Sequence, residues 1–271
     1  MFKILKQIFY DHVEYRTQIL RMAKVDKDRA FKGSDLGWVW ALFRPAMRIA
    51  VYYFAMVVGF RASRNMQGIY CSYFLWLVAG LVPWFYMSGM LTGGATCFRR
   101  YKGMIQRTSF PKTTIPTIVT LSNFKVHIVV FFCMLLLFPL MGYKPSIYWI
   151  QLPIYMAMML IFTYFWSLAS GLLSVVSEDF LNILRTMNAA MFWLSAILFN
   201  KTNVHNPLAV TFFRLNPVTY IVYGYRDALC YHRWFFEDRI SLLYFLAVSA
   251  IMIFVATKLY SGLRKQLPDI V

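Results

Sequence analysis

Long apolar runs alternate with short basic stretches along this chain, and the runs are close in length to a bilayer core. About 20 apolar residues cross that core as a helix. By this rule the pattern predicts six spans, at roughly 38–60, 70–92, 115–141, 148–176, 182–200 and 240–260. The fifth carries Arg185 and Asn188 in its first turns, and the third carries Lys125 and His127 well inside it. Ionisable groups at such depth face protein or water. For Lys125 and His127, helix packing and a place beside a transport path both remain open.

Ahead of the first span, Ile4, Ile8, Val13, Ile19, Leu20 and Met22 are set among eight Lys/Arg up to Lys32. This pattern predicts a helix lying along the inner membrane surface. The dense charge from Asp26 to Arg29 leaves a disordered basic tail as the rival. Between residues 201 and 239, the pieces Pro207–Phe213 and Pro217–Tyr231 are too short to span, and fit re-entrant helices shielded by protein. The predicted fold is an all-α integral membrane protein, one domain over residues 1–271. It comprises an interface helix in 1–34, spans one to five in 35–200, a re-entrant segment at 201–239, span six at 240–260 and a tail at 261–271.

Composition supports that class. The chain has 271 residues, 60% hydrophobic and 14% charged, where soluble domains are about 45–50% apolar and 25% charged. Its formal net charge of +17 would suggest nucleic acid in a soluble protein. Here the basic residues gather between spans, so membrane orientation and anionic lipid account for them, and no nucleic-acid partner is expected. With the N-terminus inside, inner segments carry 17 Lys/Arg and outer loops 8. The positive-inside rule therefore predicts both termini in the cytoplasm. The N-terminus lacks an apolar core followed by a cleavage site, so no signal peptide is expected.

Catalytic chemistry is sparse. Cys71, Cys97, Cys133 and Cys230 form no paired motif, and read as free thiols with no metal site. No phosphate-cradling GxxxxGK[ST] occurs, so ATP is not expected on this chain. Neither GxSxG nor HExxH occurs. Glu178 and Asp179 are adjacent, about 100° apart on a helix, and do not form a catalytic pair. No catalytic residue is assigned. Gly89 and Gly93 match GxxxG, which suits close helix packing.

The stretch KGSDLGWVWALFRPAMRIAVYYFAMVVGF at 32–60 holds the main candidate site. Trp40, Arg44, Arg48 and Tyr52 recur every four residues and form one helical stripe. Pro45 removes a helical hydrogen bond and favours a kink. The stripe has two readings. It is a cationic, aromatic-edged entrance for an anionic amphiphile, or a snorkelling pair flanked by belt aromatics.

Four stretches carry a family resemblance: KGSDLGWVWALFRP at 32–45, TSFPKTTIPTIVTLS at 108–122, SEDFLNILRTMNAAMFWLSAILF at 177–199 and RLNPVTYIVYGYRDALCYHRWF at 214–235. Their order and spacing resemble the membrane subunit of ABC-2 type polysaccharide exporters over nearly the whole chain. YKPSIYWIQLPIY at 143–155, RDALCYHRWFFED at 226–238 and the terminal YSGLRKQLPDIV look closest to the teichoic acid branch of that family. The resemblance implies a homodimer around one path, with two copies of a separate ATPase subunit that binds ATP and Mg. The loop 95–112, with Arg99, Arg100, Lys102 and Arg107, would hold the helix that docks into that ATPase. An outer re-entrant segment would carry Asn216, Pro217, Tyr220, Arg226 and Asp227. The implied substrate is a lipid-diphosphate-linked anionic polymer, teichoic acid first, with capsule, O-antigen or another glycan as the alternative. Relatives often have Asn or Glu where this chain has Arg44, which makes Arg44 a candidate for substrate tuning. A membrane transferase is a rival of another class. It would need metal ligands or an acid–base pair that the sequence does not offer.

Overall fold

The computed structural model describes residues 2–31, 33, 35–59, 69–200 and 206–271, and every regular element among them is helical. The expected connection Arg61–Gly68 and the start of the 201–239 segment lie outside the described residues. Five helices are long and apolar enough to cross a membrane: Val39–Gly59 (α3), Tyr73–Gly93 (α4), Lys112–Leu140 (containing α7, Ile115–Leu140), Ile147–Val176 (containing α8, Leu152–Val176) and Arg239–Leu263 (α12). These helices make the chain an integral membrane protein.

The expected fifth span at 182–200 is not among these five helices. Its helix, α9, runs Glu178–Leu194, 17 residues, about 25 Å at 1.5 Å per residue, at the short end of what crosses a bilayer core. The chain leaves the helix at Ser195 and turns through Ala196, whose φ is +48°. Residues 195–198 are buried. Irregular backbone at membrane depth is tolerated only where protein satisfies it, and here it is satisfied. The Leu194 carbonyl accepts from Asn216 Nδ2 at 3.1 Å, the Leu198 carbonyl from the Tyr73 hydroxyl at 3.1 Å, and those of Ala196 and Ile197 from the Arg226 guanidinium.

The expected single interface helix is two: α1 (Phe2–Glu14) and α2 (Arg16–Phe31), joined through a turn at Tyr15. The apolar side of α2 explains its position. Ile19 and Ala23 are buried against Ile118 at the start of α7. The segment is therefore packed helix, contrary to the tail reading.

Helix α4 is the axis of the bundle, with most of its residues buried. It is nearly all apolar, as a helix surrounded by others should be. Two short helices, α5 (Cys97–Arg100) and α6 (Lys102–Arg107), follow it. At the far end of the sequence, α10 (Pro207–Leu215) and α11 (Pro217–Arg226) precede α12, and α13 (Leu267–Ile270) follows it.

Side-chain bonds sort the connections to two ends. At one end, Arg264 donates to the Gln7 amide oxygen at 3.1 Å, and Gln106 donates to the Val271 carbonyl at 3.1 Å. At the other, Tyr70 N–H donates to the Cys230 carbonyl at 2.9 Å. There Gln151 donates to the Arg233 carbonyl at 2.6 Å and accepts from Phe235 N–H at 2.8 Å. Both termini and the 97–112 loop thus share one end, and the 227–238 segment lies at the opposite one.

Candidate functional site

The Trp40–Arg44–Arg48–Tyr52 stripe falls on α3, which packs on α4 and leaves most of its surface uncovered. The Arg44 guanidinium lies over the Trp40 ring, 5.6 Å from its centre, and the Arg48 guanidinium lies 5.8 Å from the centre of the Phe85 ring on α4. Both arginines remain exposed. Tyr52 stacks on Phe192 of α9 at 4.8 Å, and Phe192 sits 5.6 Å from Trp84. Three helices therefore meet in an aromatic cluster at that level. Pro45 sits inside α3, which continues as helix through it. It borders a cavity of about 90 Å³ that also touches Phe85, Gly89, Asn123 and His127.

From the aromatic cluster toward the end bearing the termini, α3 and α9 flank one face of α4. Phe85 points to α3, as its contact with Arg48 shows. Ser88 points to α9, where its hydroxyl accepts from Asn188 Nδ2 at 3.0 Å. Gly89 lies to the other side of Phe85, toward α7, where it borders the cavity with Asn123 and His127, and neither it nor Gly93 has any atom within 4 Å of where a Cβ would stand. The close packing expected at this GxxxG pair is not made by any described part of the chain. On α9, Asn182, Arg185 and Thr186 are exposed, and Arg185 donates to Asn182 at 3.3 Å. The result is a groove with Arg44 and Arg48 on one rim and Asn182, Arg185 and Asn188 on the other. Ser88 lies on its floor.

Exposed guanidiniums and amides on membrane helices are met by head groups, water or protein. Arginine on the rim can form paired hydrogen bonds with phosphate through its planar fork. Sequence reasoning found the α3 rim from helical periodicity. It missed the α9 rim and Ser88, having treated Arg185 and Asn188 only as weak points of a span.

The four basic residues of the 95–112 loop separate in two. Arg99 bonds inward: Nη1 meets Glu178 Oε1 at 2.6 Å and Nε donates to the Ser174 carbonyl at 2.9 Å. It ties the loop to the α8–α9 corner. Arg100 lies 3.4 Å from Asp26 Oδ2 on α2. That carboxylate also accepts from the Tyr101 hydroxyl at 2.9 Å and from the Ser122 hydroxyl of α7 at 2.7 Å. Lys102 and Arg107 are exposed. Cys97, at the root of the loop, is fully buried, and burial pushes its thiol up to about 12.

The five residues expected on the outer segment are structural in placement. Asn216 caps α11, accepting from Val218 N–H at 2.9 Å, and Pro217 occupies the first turn. Tyr220 stacks on Phe245 at 4.8 Å. Arg226 is 0% exposed. Its Nη1 donates to Ala196 at 3.0 Å, Nη2 to Ile197, and Nε to Trp76 at 3.3 Å, while the guanidinium lies 3.4 Å from the Trp76 ring centre. A Cβ on Gly80 would run into that guanidinium, so glycine is what admits it. The Asp227 carbonyl closes the following turn by accepting from Arg233 N–H at 3.0 Å.

No family model matches the chain. It is 21% identical over 270 residues to the O-antigen export system permease protein RfbA of Myxococcus xanthus, covering 99% of each protein. It is 25% identical over 248 residues to a protein of the same name from Klebsiella pneumoniae, covering 89% of each. A second Klebsiella pneumoniae protein of that name is 25% identical over 205 residues, 73% of this chain and 74% of that one.

Proposed function

We propose that this chain is the membrane permease subunit of an ATP-driven, ABC-2 type exporter of lipid-linked polysaccharide. It works as a homodimer with two copies of a separate ATPase subunit that binds ATP and Mg. The observation that carries the reading is the α3–α4–α9 groove, a polar, cation-rimmed face at membrane depth that the described chain leaves open. End-to-end similarity to O-antigen export permeases supports it. A second copy facing this groove would complete a path lined by arginine, amide and aromatic groups. Many weak contacts of that kind pass a polymer better than one tight site would.

The relatives' names favour an O-antigen-like glycan, with teichoic acid second. The arginines serve either substrate, because the lipid diphosphate is anionic whatever polymer it carries. The 17-to-8 asymmetry of basic residues supports placing the termini and the 97–112 loop in the cytoplasm of a bacterial plasma membrane. There Lys102 and Arg107 would meet the ATPase. Arg99 would pass movement of the loop to α9, one rim of the groove, because its bonds to Ser174 and Glu178 link the two. Such transmission needs an element with two discrete arrangements.

The test is substrate-stimulated ATP turnover per assembled complex in lipid nanodiscs, with the ATPase subunit present. Arg44→Ala and Arg48→Ala should assemble normally and lose turnover. Wild-type turnover in both variants would remove the groove from the substrate path.

A further inference from the structure

At the end opposite the termini, two cysteines from distant parts of the chain meet. Cys71 lies just ahead of α4, and Cys230 lies in the π-helical turn Asp227–Tyr231 that follows α11. Four contacts tie these two segments together. Tyr70 N–H donates to the Cys230 carbonyl at 2.9 Å, and the Tyr70 ring stacks on His232 at 4.7 Å. One turn into α4, Trp76 Nε1 donates to the Tyr231 hydroxyl at 3.0 Å, and the Arg226 guanidinium covers the Trp76 ring. The two thiols sit inside that frame, Cys71 7% exposed and Cys230 0%. Burial first, and then a hydrogen bond with the Cys71 thiol, push the Cys230 thiol well above its ordinary range. The other two cysteines have different surroundings. Cys97 packs against Ser167 and Gly171 of α8, and Cys133 is exposed on α7.

We propose that Cys71 and Cys230 are a redox pair, which a disulfide-bearing oxidant converts to an intrachain disulfide that staples the start of α4 to the turn after α11. The proposal goes beyond the export reading, and its chemistry does not depend on what is carried. The step is thiol–disulfide exchange. Cys71, the less buried of the two, attacks one sulfur of the oxidant as its thiolate and expels a thiol. The Cys230 thiolate then attacks the Cys71 sulfur of that mixed disulfide and expels the second thiol. The two cysteines lose two electrons and two protons, and the external disulfide becomes two thiols. Buried thiols react slowly, and the same burial shields the bond once it has formed. The orientation proposed above puts this end outside the cytoplasm, where disulfides persist. The cysteines stand 159 positions apart. A cross-link over so long a loop takes much conformational freedom from the unfolded chain.

The test incubates the purified complex with oxidised glutathione, then denatures it in the presence of a maleimide. Cys71 and Cys230 should leave the set of labelled cysteines while Cys97 stays in it. Proteolytic mapping of the wild type should recover a peptide pair joining Cys71 to Cys230, a readout that needs no substitution. Two variants separate the steps. Cys230→Ala should accumulate a glutathione adduct at Cys71, whereas Cys71→Ala should leave Cys230 unmodified. The staple should raise the melting temperature of the complex by about 5–15 °C, and a reductant should reverse the rise. Continued labelling of Cys71 and Cys230 after oxidation would overturn the proposal. So would a bond from either one to Cys97 or Cys133, or an unchanged melting temperature in protein that carries the bond.

Discussion

Two arginines of the helical bundle, Arg48 and Arg226, have opposite surroundings. Arg226 is sealed in the bundle with three backbone carbonyls, a tryptophan face and a glycine that makes room for it. Arg48 leans on one phenylalanine ring and, among the described residues, is otherwise exposed. A cation in a membrane protein must be compensated. Where the chain supplies the compensation, the residue is a brace. Where it does not, something else must supply it, such as water, a second copy or a phosphate. The polar partners around each arginine, more than its depth, separate structure from function.

The comparison is broken most directly at the brace. Arg226→Met removes the donor from Ala196, Ile197 and Trp76 and leaves buried carbonyls unpaired. Each unsatisfied group costs about 1–3 kcal/mol, and breaking a buried charged arrangement commonly costs about 3–5 kcal/mol. The expected result is loss of folded protein, read as yield and monodispersity after detergent extraction. Gly80→Ala should do the same by steric conflict with the guanidinium. Normal yield in both would mean that the turn after α9 does not depend on this brace.

The groove arginines should show the opposite pattern, with intact assembly and impaired transport. A charge-assisted hydrogen bond is worth about 1.5–3 kcal/mol, or roughly 10- to 150-fold in affinity. Arg48→Ala should therefore weaken substrate stimulation within that range. Arg48→Lys should be milder, keeping charge without the fork. Complete rescue by Lys together with low yield of the Ala variant would reassign Arg48 as a membrane anchor.

The same contrast explains what was legible in the sequence. Spans in the α3, α4, α7, α8 and α12 regions follow from hydropathy windows, because lipid imposes length and apolarity locally. The stripe from Trp40 to Tyr52 follows from helical period. The end of α9 was not legible. Residues 195–199 are apolar enough to extend a span, and their turn is held by Arg226, Asn216 and Tyr73 from elsewhere in the chain. The burial of Arg226 is not legible either, because it depends on Gly80 and Trp76 on a different helix. The α9 rim was missed because Asn188 gains its meaning only beside Ser88.

A smaller effect is expected where the loop meets α9. The Arg99–Glu178 pair is largely solvent-accessible on the Glu178 side, with that side chain 81% exposed. Such pairs are worth about 0–1 kcal/mol, so Glu178→Gln should barely change thermal stability. If Arg99 relays loop movement to the groove, that variant should still lower the ratio of export to ATP hydrolysis. The charge swap Arg99→Glu with Glu178→Arg should restore part of it. An unchanged ratio in Glu178→Gln and in Arg99→Ala would take the relay out of the mechanism.

The smallest effect is expected at a glycine, and it makes the comparison sharpest. Gly80 and Gly89 lie on the same helix, two and a half turns apart. Gly80 faces the brace and has no room for a methyl, whereas Gly89 faces the cavity beside Pro45 and has nothing within 4 Å of a Cβ. Alanine is favoured over glycine within a helix by about 1 kcal/mol. Gly89→Ala should thus leave the melting temperature of the complex unchanged or slightly raised, opposite in sign to Gly80→Ala. The dimer provides the discriminating measurement. If the cavity beside Gly89 stays open in the dimer, a methyl there is accommodated and the dimer survives. If two copies instead press their glycines together as GxxxG helices do, the same methyl drives the helices apart. A fall in dimer content on size-exclusion chromatography with light scattering would then show that this face is a packing seam. The polymer path would have to run along a different face of α3.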